Sequence, residues 1–135
     1  MMTFVGDPAD SITFGFQATS IEFDWDDASG TWLRTLDGTP HLTAPDDVQV
    51  APTNVIIQYL NPQYVEMGEG RALFFVDGQV IEGLWSKPEP GAVTRFTTVF
   101  GADMELEPGQ TWVNMVRGGT EIEVVAGGVS TIHEL

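Results

Sequence analysis

The chain has 135 residues, 42% hydrophobic and 10% aromatic, which suits one domain with a real core. Twenty acidic side chains against five Lys and Arg give a formal net charge of −15, so phosphate backbones and anionic lipid repel it and nucleic acid is disfavoured as a partner. No cysteine is present, which removes disulfides, thiol catalysis and Cys-ligated zinc, and no apolar run reaches the roughly 18 residues of a membrane span.

Residues 1–10 read as a lead-in, broken at Asp7-Pro8, without the character of a basic and apolar leader. A single β-rich domain is expected over 11–125, with 126–135 left as an unassigned tail. Ile21, Phe23 and Trp25 alternate with Glu22, Asp24 and Asp26, the period-2 pattern of a half-buried strand. Asp27-Ala28-Ser29-Gly30 is turn chemistry and predicts a return strand over 31–35, pairing Trp25 with Trp32 and Phe23 with Arg34. Thr53 to Leu60, rich in Val and Ile, reads as a strand stopped at Asn61-Pro62. Arg71–Val76 and Gln79–Trp85 flank Asp77-Gly78, a strong hairpin signal. The register places Phe75 opposite Val80 and Leu73 opposite Glu82, with Arg71 diagonal to Glu82. Both faces of this hairpin are mostly apolar, which places it centrally. Further strands are expected at 94–99, at 111–116 after Pro108-Gly109, and at 121–125 after a hairpin at Gly118-Gly119. Fifteen Gly and eight Pro scattered among these short strands predict an all-β fold, a small antiparallel sandwich or partly open barrel built from hairpins.

Few side chains suggest chemistry. The acidic run from Asp24 has Ser29 and Thr35 where a calcium-binding EF-hand loop needs Gly and Glu. The two histidines, His41 and His133, lack metal-ligand spacing. No serine sits on a strand–turn–helix elbow. No cofactor, no metal and no catalytic residue is therefore assigned. Glu82 lies between Val80 and Leu84 and opposite Leu73, so it is expected to be mostly buried and paired with Arg71 or Arg34. Four tryptophans, Trp25, Trp32, Trp85 and Trp112, suit core and rim packing better than a sugar-stacking platform.

Several blocks stand in a recognisable order: Trp25-Asp26, Trp32-Leu33-Arg34, Gly38-Thr39-Pro40-His41, Asn54-Val55-Ile56-Ile57-Gln58, Asp77-Gly78 running into Glu82-Gly83-Leu84-Trp85, and Pro108-Gly109-Gln110-Thr111-Trp112. Together they resemble the C-terminal domain of the YerB-type bacterial lipoproteins, a domain of unknown function, over about 21–116. Thr43 stands where that family usually has an acid two residues after the histidine. The resemblance implies an extracytoplasmic, cell-envelope setting, with a lipid-anchored signal and an N-terminal domain ahead of this region. It also implies a partner in that absent N-terminal domain or in another envelope protein, with no direct membrane insertion of this domain. It supplies no catalytic residues. Two functions from different classes follow. One is a non-catalytic binding or docking module using Arg34, His41, Asn54, Gln58 and Glu82. The other is a cell-wall-directed hydrolase or transferase with Glu82 as acid–base and His41 as helper, which requires both to reach one cleft atom.

Overall fold

A computed structural model describes residues 6–16, 18–60 and 68–134, with Phe16 described by its backbone alone. Residues 1–5 of the lead-in, the Asn61-Pro62 stop and Leu135 of the tail lie outside the described residues. In chain order the strands are β1 (Asp7–Pro8), β2 (Ser11–Phe16), β3 (Thr19–Asp26), β4 (Thr31–Leu36), β5 (Thr39–Pro40), β6 (Leu42–Thr43), β7 (Val48–Gln49), β8 (Asn54–Leu60), β9 (Gly68–Val76), β10 (Gln79–Lys87), β11 (Arg95–Thr98), β12 (Thr111–Arg117), β13 (Glu121–Ala126) and β14 (Val129–Glu134). No helix occurs among the described residues.

The strands form two large sheets. One runs β1-β10-β9-β8-β12, with β11 also on β10; the other runs β14-β13-β2-β3-β4-β5, and β6 and β7 make a separate small ribbon. Neither sheet closes on itself, so the fold is all-β and sandwich-like. The turn chemistry sets the hairpins as expected. Asp77 and Gly78 both take positive φ, 51° and 72°, as a two-residue I′ turn requires. Gly78 also lies under the Trp25 indole, where a Cβ would stand 2.9 Å from Nε1. The pairings Val80–Phe75, Glu82–Leu73, Trp25–Trp32 and Phe23–Arg34 all occur.

The main core lies between the sheets. Ile12, Phe23, Trp32 and Ile122 from one meet Val55, Ile57, Leu73 and Phe75 from the other, all fully buried. The far face of the first sheet has its own cluster of Ile56, Phe74, Val76 and Trp85, covered by Phe96, Met104 and Leu106. This double cover explains the unbroken apolar runs of β8 and β9. Each fully buried large apolar side chain contributes about 1.5–3 kcal/mol relative to exposure.

Three connections differ from the sequence reading. β12 pairs with β8 in parallel, Trp112 beside Val55 and Met115 beside Gln58, in an otherwise antiparallel system. Gly118-Gly119 does not make a hairpin, because β12 and β13 belong to different sheets. A tight turn, closed by the Thr120 N–H donating to the Arg117 carbonyl at 3.1 Å, carries the chain across the sandwich instead. The segments left outside the domain at both ends also join the sheets. β1 pairs with β10, Ala9 is fully buried, and β14 pairs with β13.

Candidate functional site

Arg34, His41 and Trp112 come from three separate sequence blocks and meet at one place. Arg34 points inward from β4, as its pairing with Phe23 requires, and is only 8% exposed. Its backbone is fixed from both sides. The N–H donates to the Val50 carbonyl at 2.9 Å. The carbonyl accepts from His41 N–H at 3.0 Å and from Gln49 Nε2 at 2.9 Å. The guanidinium lies over Trp112, 5.1 Å from its ring centroid, and over Phe23 at 5.6 Å, both within cation–π range. His41 meets the edge of Trp112 at 6.3 Å and 84°.

Arg34 Nη1 donates to His41 Nδ1 at 2.6 Å. A guanidinium only donates, so Nδ1 is an acceptor and the neutral His41 ring carries its proton on Nε2. Arg34 Nε is sealed from solvent without a hydrogen-bond partner among the described residues, and none of their carboxylates forms an ion pair with Arg34. Burial pulls the guanidinium below its ordinary pKa. The charge is thus desolvated and compensated only by aromatic faces and a neutral imidazole.

Beside it runs a half-open groove of about 320 Å³, lined by Arg34, Phe14, Ile21 and residues 113–116 of β12. No carboxylate lines it. β12 is an edge strand, with β8 on one side and no described strand on the other, and it presents Val113 and Met115 at 39% and 54% exposure.

The remaining predicted site residues do not join this cluster. Asn54 is fully buried and occupied with the loop before β12. Its Nδ2 donates to the Glu107 carbonyl at 2.9 Å and to Thr111 Oγ1 at 3.2 Å, and its Oδ1 accepts from Glu107 N–H at 3.1 Å. Gln58, 3% exposed, shares the Ile56 face of β8, turned away from the other sheet. Glu82 overturns the expectation of burial. Its side chain is 42% exposed, 3.7 Å from Arg71 and 3.7 Å from His133 Nδ1. The partner Arg71 is as expected, but Glu82 lies on the rim where the sandwich opens beside β14, outside the core that buries Leu73. Glu82 contacts Arg71 on β9 and His133 on β14, whereas His41 contacts Arg34 on β4 and Trp112 on β12, so the two side chains share no contact. Sequence reasoning missed Trp112 as a wall of the site, the open edge of β12 and the place of His133. Only Trp112 carried a signal, through its position in the Pro108–Trp112 block.

Three comparisons extend this picture. A family model described as the C-terminal domain of a protein of unknown function (DUF3048) matches residues 11–113. The crystal structure of YerB from Bacillus subtilis has a similar fold, with a TM-score of 0.66 and 22% identity over 84% of this chain and 42% of that one. The chain therefore spans less than half the length of that structure. No curated protein matches the sequence.

Proposed function

Because the chain belongs to the DUF3048 C-terminal domain family, we propose that it is a non-catalytic binding or docking module of a bacterial envelope lipoprotein, held outside the cytoplasm and working against another domain or another envelope protein. The observation that carries this reading is Arg34, a buried cation with no countercharge among the described residues, at the wall of an open groove. A buried charge without a partner is destabilising. A ligand or neighbouring domain that supplies the partner makes the arrangement intelligible. Acid–base catalysis by Glu82 with His41 would need the two to converge, and they contact different groups on different strands. The test is a screen of the 135-residue protein for turnover of ester, amide and glycoside substrates and of cell-wall fragments. We expect none; turnover that disappears in Glu82→Gln or His41→Ala would establish the enzyme instead.

A further inference from the structure

We propose that the groove beside Arg34 receives an extended peptide segment, which adds as a strand along the free edge of β12 and places one carboxylate against the Arg34 guanidinium. This rests on the docking reading above and names its partner chemistry.

The free edge supplies half of the argument. In a parallel ladder only one side of a strand is used by its neighbour. β12 is paired to β8 through all seven residues, Thr111 to Arg117, and no described strand covers the backbone groups of its other side. Such an edge is a template for strand addition, and proteins usually blunt it with Pro, Lys or a bulge. β12 has no Pro or Lys between Thr111 and Val116. It offers Val113 and Met115 to solvent instead, where alternate side chains of an added strand would pack.

Arg34 supplies the other half, because it sets the sign of the incoming group. The groove holds one cation and no acid, although the chain carries 20 acidic residues. Arg34 is therefore the charged side chain that an incoming group meets at the groove wall. With Nε sealed, a carboxylate meets the guanidinium at a terminal nitrogen, and the low local dielectric strengthens that contact. A phosphate would bring a second charge with no second cation to meet it. A single Asp or Glu in an otherwise apolar, extended segment fits both halves.

Selection of the protein against random nine-residue peptides displayed on phage tests this, followed by titration of the best free peptide with blocked ends into isotopically labelled protein. The expected peptides carry one Asp or Glu among apolar residues. Amide shifts should concentrate on residues 113–116 and on Arg34 Nε. Replacing the peptide acid by its amide should weaken binding roughly tenfold or more, and Arg34→Gln should do the same without adding to it. If Arg34→Gln does not fold, the peptide substitution alone still decides. No selected peptide, selected peptides without an acid, or binding indifferent to that acid would overturn the proposal, as would octanoate matching the peptide's affinity. Shifts centred on Glu82 and His133 would defeat this site while leaving a docking module. Substrate turnover would defeat both.

Discussion

A guanidinium between two aromatic faces gains cation–π attraction but loses most of its hydration, and at Arg34 only His41 Nδ1 accepts a hydrogen bond from it among the described residues. Arg34→Met keeps the volume and removes the desolvation cost. Stability should therefore stay level or rise by about 1 kcal/mol, read from the urea midpoint, while peptide binding weakens as it does in Arg34→Gln. A fall beyond about 2 kcal/mol would show that the aromatic and imidazole contacts outweigh desolvation. Glu82 behaves in the opposite way. At 42% exposure and 3.7 Å from Arg71, its ion pair is a solvated one, so Glu82→Ala should cost less than about 1 kcal/mol in thermal or urea unfolding. The register around Glu82 was legible because Asp77-Gly78 fixes it. Its burial was not, because burial on β10 depends on where the facing sheet ends, and that sheet is assembled from strands near both ends of the sequence.

Hairpins were legible at the scale of elements because a turn and its two strands are contiguous. Asp77-Gly78 and residues 27–30 each specify a register within a dozen residues. The parallel β8–β12 pair joins strands more than fifty residues apart, and apolar content alone names no partner. β14 was missed for a different reason: it is mostly exposed, with Val129 at 67% and Ile132 at 51%, so no alternation marks it. The Arg34 site depends on the parallel pair, since β12 delivers Trp112 to the guanidinium. Asn54 holds that strand's entry. Besides its three side-chain bonds, its backbone N–H and that of Thr53 donate to the Gln110 carbonyl, at 3.1 Å and 2.9 Å. Asn54→Ala should cost about 2–3 kcal/mol, since it leaves groups of the Glu107 backbone without partners. It should also weaken peptide binding by loosening β12. A loss under about 0.5 kcal/mol, the size of ordinary surface changes, would mean that the loop is held by other contacts.

At the scale of the whole molecule, a net charge of −15 makes the folded chain repel itself at neutral pH, and Asp24 is the point where this is most concentrated. It sits two residues from Glu22 on the same face of β3. Burial first, then a shared hydrogen bond and repulsion from Glu22, pushes Asp24 up to about 7 from 3.8. Between those two values the folded protein holds a proton that the unfolded chain has lost, so folding is favoured by acid in this window. The penalty is fully present above about pH 7, is relieved progressively as pH falls, and gives no further gain below about pH 4. Asp24 is only half-buried, so solvent screening reduces the contribution to roughly 1 kcal/mol. Stability measured by urea unfolding should therefore rise as pH falls from 8 to 5, against the usual loss on acidification of proteins with well-paired carboxylates. General relief of the −15 charge would produce the same trend, and Asp24→Asn separates the two causes. The variant should be more stable than the parent at pH 8, equal to it below about pH 4, and flatter in between. Parallel profiles for variant and parent would assign the whole slope to net charge and dissolve the Asp24–Glu22 pair as a distinct source of strain.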